Sequence, residues 1–158
     1  MISSALLTTL LLFAAPAAFA APLLWEIGKA DNDDREFALA PNRYADYREG
    51  VLYVVGKSDP KRDWPYVHPG PVDGWGGVRP QTFTIMFGLK AAPTGGDCAL
   101  RFDLVDTHGA APPELRIAVN GQSFSRKLPR GGGDASIFGD PKKGKEHQFA
   151  LNFPASSL

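Results

Sequence analysis

Alternation of apolar and polar residues recurs along this chain and limits it to a β-rich fold. The alternating segments are Gln81–Leu89, Cys98–Asp106, Glu114–Asn120 and His147–Phe153. Because successive side chains of a strand point to opposite faces, each segment predicts a strand with one apolar face. Val51–Val55 is apolar throughout, which is typical of a strand buried on both faces or lying beside a loop. No window carries a sustained 3.6-residue apolar period, so we expect little helix.

Turn sequences separate the alternating segments. Asn120-Gly121 lies directly after one of them, and Asn-Gly between alternating runs is a strong hairpin signal. Glycine and proline, at 17 and 14 of the 158 residues, are frequent enough to favour a turn-rich fold over a helical bundle. The pattern predicts an all-β fold, an antiparallel jelly-roll or β-sandwich, in a single domain.

The N-terminal region has the features of a secretory signal. The first 25 residues carry no charged side chain, Ala5–Ala15 is largely apolar, and Ala18-Phe19-Ala20 has the small-x-small form of a signal peptidase site. We expect residues 1–20 to be removed, leaving residues 21–158 as a secreted or periplasmic domain with no membrane contact. A retained anchor is the alternative, which the short apolar run disfavours.

The charge balance and the cysteine count exclude several function classes. Seventeen Lys and Arg offset 17 Asp and Glu, so the chain offers no basic surface for nucleic acid or anionic lipid. Its one cysteine, Cys98, cannot form an intramolecular disulfide. We expect Cys98 to be a buried, inert thiol at the start of a strand.

No cofactor motif is complete. Gly139–Lys145 matches the G-x4-GK part of a phosphate-binding loop, but Glu146 replaces the required Ser or Thr. The histidines lie about 40 residues apart without metal-ligand spacing. Asp31–Asp34 could belong to a structural calcium site, although a solvated acidic turn is favoured. We therefore expect no cofactor or metal.

Asp106-Thr107-His108 is the one local pattern that suggests acid–base chemistry. A histidine beside a carboxylate can act as a general base. No G-x-S-x-G nucleophile motif accompanies it, so a surface loop after a strand is favoured. We expect no catalytic residue at this position.

Two Pro- and Gly-rich segments, Lys57–Pro80 and Pro129–Gly144, are too long to be simple turns and are the expected carriers of function. The first is rich in aromatic and charged side chains. Aromatic planes can stack on pyranose rings, and arginine can pair with a uronate carboxylate. The alternative is that these rings only pack over the end of the sandwich. The candidate binding residues are Arg62, Trp64, Tyr66, His68 and Trp75.

Ordered sequence blocks resemble the C-terminal carbohydrate-binding-like domain of rhamnogalacturonan lyases, polysaccharide lyase family 4. The resemblance covers about residues 25–153. Its blocks are W-x-I-G-x-x-D…E-F at 25–37, Y-V-V-G-K-S-D at 53–59, D-W at 63–64 with His68, T-F-x-I-x-F-x-L at 82–89, and L-x-I-x-V-N-G at 115–121.

The resemblance implies a jelly-roll module with a carbohydrate-binding or accessory role, since β-elimination in the full lyases takes place in a separate catalytic domain. It also implies one or two closing strands beyond Leu158, so we expect the sandwich to be incomplete at its C-terminus. Either the chain is a fragment, or a partner chain donates the missing strand. A partner chain that carries catalysis is a further expectation.

Three interpretations remain open at this point. The favoured one is a module that binds pectin-type polysaccharide such as rhamnogalacturonan. The second is a lyase that acts by β-elimination, with His68 or His108 as base and Arg62 or Lys61 neutralising the uronate. The third is a β-sandwich that docks onto another protein and binds no sugar.

Overall fold

The computed structural model describes residues 22–158. The predicted signal peptide, residues 1–20, and the predicted mature N-terminus, Ala21, lie outside the described residues, and both stay predictions. Within residues 22–158, no helix is long and apolar enough to cross a membrane.

The described part of the chain consists mainly of short strands and loops, which confirms the predicted all-β class. Helical structure is confined to α1 (Pro60–Asp63) and a few single 3-10 turns. The strands are β1 (Val51–Val54), β2 (Phe83–Met86), β3 (Asp97–Leu104), β4 (Glu114–Val119), β5 (Gln122–Lys127) and β6 (His147–Pro154).

Two of the strand pairs are antiparallel. β3 pairs with β6 over its whole length, and the rings of Phe102 and Phe149 stack across this pair at 4.6 Å. β4 and β5 form the hairpin that Asn120-Gly121 predicts. These two turn residues have φ values of 43° and 95°, the left-handed conformations that a two-residue type I′ turn requires.

The third pair, β1 with β2, is parallel, with Val51 opposite Phe83 and Val54 opposite Met86. This pair departs from the antiparallel expectation, because the long segment between its strands crosses over instead of turning back. Only one face of β1 is well buried: Tyr53 is 5% exposed, whereas Leu52 is 50% exposed.

The core is small and largely aromatic. Tyr53 of β1 is buried, as is Tyr47, whose ring packs on Phe83 of β2. Val67 and, at the end of β6, Phe153 are also buried. Cys98, which is paired with Phe153 in the β3–β6 register, is half-buried, so the expectation of a buried thiol was wrong.

Candidate functional site

Arg62 lies in α1, at the beginning of the segment Lys57–Pro80, which we call the aromatic loop. Its Nε and Nη2 atoms donate to the two carboxylate oxygens of Asp63 at 2.8 and 2.7 Å. This pairing raises the pKa of the Arg62 guanidinium and lowers the pKa of the Asp63 carboxyl. The guanidinium of Arg62 is exposed to solvent, but two of its nitrogens already donate to Asp63.

Trp64 and His68 pack against the framework of β1 and β2. The Trp64 ring lies 5.9 Å from that of Tyr53 and 5.7 Å from that of Phe83. The His68 imidazole lies 4.2 Å from Phe83 and 5.2 Å from Trp64. The residue as a whole is exposed, but the two neighbouring rings crowd the imidazole, and its desolvation lowers the pKa of His68 to about 4.

Tyr66 joins the aromatic loop to the segment Pro129–Gly144, which we call the second loop. Its hydroxyl donates to the carbonyl oxygen of Ile137 at 2.6 Å. Partial burial raises the pKa of Tyr66 to about 12, so the phenol stays a donor over the physiological pH range. The two segments that the sequence marks as carriers of function are therefore in contact.

Asp106 anchors the second loop from the end of β3. Its Oδ1 accepts hydrogen bonds from the backbone N–H groups of Thr107, Gly132 and Lys145 at 2.7 to 3.1 Å. Its Oδ2 accepts one from the Ser136 hydroxyl at 2.8 Å. The loop backbone also approaches closely, since a Cβ added at Gly131 would lie 1.7 Å from the carbonyl oxygen of Thr107.

The same geometry gives His108 a structural role. Its Nδ1 accepts hydrogen bonds from the backbone N–H groups of Ala110 and Ala111 at 3.1 and 2.9 Å. The Asp106 carboxylate binds the second loop, so it does not orient the imidazole as in an acid–base pair. The arrangement agrees with the favoured interpretation of this segment as a loop.

Trp75 belongs to a row of aromatic rings drawn from three parts of the chain. It makes edge contacts with Tyr44 at 5.5 Å and Tyr47 at 6.2 Å, and Tyr44 contacts Phe138 of the second loop at 5.5 Å. Phe138 is 56% exposed, and Tyr44 and Trp75 are partly exposed. We call Phe138, Tyr44, Trp75 and Tyr47 the aromatic row.

A cleft of about 260 Å³, which we call the Trp75 cleft, opens beside this row. Trp75 lines it together with three charged side chains, those of Arg48, Glu49 and Arg79. Arg79 forms an ion pair with Glu49, and Arg48 donates through Nη1 to the carbonyl oxygen of Tyr47 at 2.7 Å. The cleft thus combines an aromatic edge with both positive and negative groups.

A wider depression of about 480 Å³ lies on the β4–β5 hairpin. Its lining is mostly polar and small, and its one aromatic side chain, Phe124, also packs 6.2 Å from Phe153. Because it offers no cluster of exposed rings, it is a weaker candidate for a ligand site than the Trp75 cleft.

Two carboxylates of the acidic turn Asp31–Asp34, those of Asp31 and Asp33, accept hydrogen bonds from neighbouring residues of the chain. Asp33 accepts from the Arg35 side chain, and this bond lowers the pKa of Asp33 to about 2. Asp31 accepts from the backbone N–H of Asp33. Within residues 22–158, no three His, Cys, Asp or Glu side chains are grouped so that they could hold a metal ion.

A family model described as CBM-like, polysaccharide lyase family 4, domain III, matches residues 23–158. The chain belongs to this family. The match to domain III confirms the resemblance drawn from the sequence blocks, and the domain fits a β-sandwich. It supports a carbohydrate-binding accessory module, and polysaccharide lyase domains are typically extracellular. Searches of the curated proteins and of the solved structures gave no match.

In this domain III chain, the residues singled out in the aromatic loop separate into two groups. Trp64 and His68 contact each other and Phe83, on the framework side, whereas Trp75 lies in the aromatic row and lines the cleft. Phe83 links the two groups, since its ring lies 6.2 Å from Tyr47. The remaining two, Arg62 and Tyr66, bind Asp63 and Ile137 as described above.

Sequence reasoning missed Tyr44, Tyr47 and Phe138. The two tyrosines precede β1 in a segment with no periodic pattern, and Phe138 stands in the second loop. The one available signal was an aromatic residue within a Gly-rich segment, which the sequence shows at Phe138.

Proposed function

We propose that this chain is a secreted accessory module that binds pectin-type polysaccharide of the rhamnogalacturonan class. The binding surface consists of the aromatic row and the adjoining Trp75 cleft. One observation carries the proposal: Phe138, Tyr44 and Trp75, from separate segments, form a partly exposed row of rings beside a cleft with charged groups.

The chemistry of this surface suits a sugar chain. Pyranose rings present apolar C–H faces that pack on aromatic side chains, and their hydroxyl groups exchange hydrogen bonds with charged and amide groups. The Pro residues of the aromatic loop and the Tyr66–Ile137 hydrogen bond limit the motion of the surface before binding. Less conformational entropy is then lost when a ligand is bound.

The candidate residues take different roles in this proposal. Trp75 contacts the sugar directly, and Tyr66 holds the second loop so that Phe138 extends the row. Trp64 and His68 support the aromatic loop from the framework side. Arg62 makes at most a minor contact, because Asp63 already accepts two hydrogen bonds from its guanidinium.

Two tryptophan variants test the proposal by calorimetric titration with a rhamnogalacturonan oligosaccharide. Trp75→Ala removes a stacking surface worth about 0.5 to 1.5 kcal/mol, so affinity should fall about two- to tenfold. Trp25→Ala is the matched control, because the ring of Trp25 contacts Phe87 and, among the described residues, no ring of the aromatic row. Its affinity should equal that of the wild type.

Measurements with the same oligosaccharide separate the alternative functions. Equal affinity of Trp75→Ala and the wild type would contradict the site. Release of unsaturated product during incubation would identify a lyase. Concentration-dependent association that no sugar affects would favour the docking domain.

A further inference from the structure

The Trp75 cleft contains two guanidinium groups and one carboxylate. Arg79 is neutralised by Glu49. Arg48 also lines the cleft, and among residues 22–158 no carboxylate lies within ion-pair distance of it. The cleft therefore carries one surplus positive charge in a chain whose formal net charge is zero.

The orientation of Arg48 is partly fixed. Its Nη1 donates to the carbonyl oxygen of Tyr47, which is 6% exposed and belongs to the core. A guanidinium carries five N–H donors, so this bond leaves most of them free toward solvent. An arginine that is held at one nitrogen loses less rotamer entropy when a ligand binds the others.

Arg62 provides the contrast within the same protein. Its guanidinium already makes the two parallel hydrogen bonds to a carboxylate that a uronic acid would otherwise accept. A ligand carboxylate at Arg62 would have to displace Asp63, which is adjacent in the chain. Arg48 needs no such exchange.

We propose that the Trp75 cleft is specific for acidic sugars, and that Arg48 binds the free carboxylate of a uronic acid residue whose ring packs on Trp75. This inference rests on the proposed function, because it assigns the ligand charge read at the same site. Glu49 reduces the affinity of the cleft for acidic sugars, since its carboxylate pairs with Arg79 and repels a ligand carboxylate.

The surplus positive charge of the cleft indicates a ligand that carries a negative charge. A guanidinium–carboxylate pair is charge-assisted and bidentate, whereas a neutral galactose offers hydroxyl groups only. The site is exposed, so the preference should be modest and should weaken as salt screens the charges.

The test uses the full chain and two probes, a rhamnogalacturonan oligosaccharide with free carboxylates and the same oligosaccharide after reduction of its uronates to neutral galactose. Arg48→Gln should bind the acidic probe about two- to fivefold more weakly than the wild type and the neutral probe equally well. Arg101→Gln, at an exposed position of β3, is the matched control and should bind both probes as the wild type does.

Glu49→Gln provides a test with the opposite sign. Loss of its charge frees Arg79, so the acidic probe should bind about two- to fivefold more tightly, with no gain for the neutral probe. Equal wild-type affinity for the two probes, with no effect of Arg48→Gln on either, would overturn acidic specificity and leave sugar binding intact. If the wild type binds neither probe, the proposed function fails and this inference fails with it.

Discussion

The imidazole of His68 lies against the rings of Phe83 and Trp64, and this environment determines when it can be charged. Its pKa is lowered from 6.5 to about 4 by desolvation. Between these two pH values the unfolded chain binds a proton that the folded chain does not. The contribution of His68 to stability is thus complete above pH 6.5 and is lost as the pH falls through about 4.

We expect the free energy of unfolding in urea to fall more steeply with decreasing pH in the wild type than in His68→Phe. The phenylalanine preserves a ring of similar size and removes the titration. An NMR titration of the folded protein should place the His68 midpoint near 4. A midpoint near the ordinary value of 6.5 would show that the imidazole is not desolvated.

The residues of the surface differ in how far the sequence could predict them. Trp75 could be singled out because it stands with charged residues in a long Pro- and Gly-rich loop. The partnership of Tyr44 with Phe138 could not, because 94 residues of chain separate the two positions and only the folded loops bring them together. Nor could sequence alone show that Asp63 occupies the guanidinium of Arg62, or that no carboxylate among residues 22–158 pairs with Arg48.

At the scale of the elements, alternation locates strands but does not determine their partners. It predicted β3, β4 and β6 to within about two residues, because each has a continuous apolar face. It missed β5, whose only apolar side chain is Phe124. Alternation could not predict that β1 and β2 run parallel, since a run of apolar residues has the same pattern in either orientation.

The second loop is an element whose shape depends on one carboxylate, so Asp106→Ala tests it. Four donors lose their acceptor, three of them backbone N–H groups, and stability should fall by about 2 kcal/mol. Amide exchange in residues 130–145 should accelerate.

Asp97→Ala is the matched control for this variant, because Asp97 is exposed at the start of β3. Its urea midpoint and its exchange in the second loop should match those of the wild type. Unchanged exchange in Asp106→Ala would contradict the anchoring role of the carboxylate.

At the scale of the whole molecule, the Tyr66–Ile137 hydrogen bond couples the aromatic loop to the second loop. Tyr66→Phe should cost about 1 kcal/mol in urea unfolding, because the carbonyl of Ile137 loses its donor. It should also weaken sugar binding, since Phe138 is then held less firmly in the aromatic row.

Tyr53→Phe is the comparison variant. The Tyr53 ring is buried, and its hydroxyl makes no side-chain hydrogen bond within the part of the chain that the structure describes. Removing that hydroxyl should leave sugar affinity unchanged. Equal sugar affinity of Tyr66→Phe and the wild type would mean that the two loops hold their positions independently.

The parallel arrangement of β1 and β2 has a consequence for how this domain can diversify. Antiparallel neighbours can be joined by two residues, so the loop between them can shrink in descendants without altering the sheet. Parallel neighbours require the chain to travel back along the pair, and here the returning segment is the one that carries Trp75 and Arg79. Lineages of such a domain can exchange these side chains freely but cannot delete the segment. Ligand preference would then change by substitution rather than by loss of the loop.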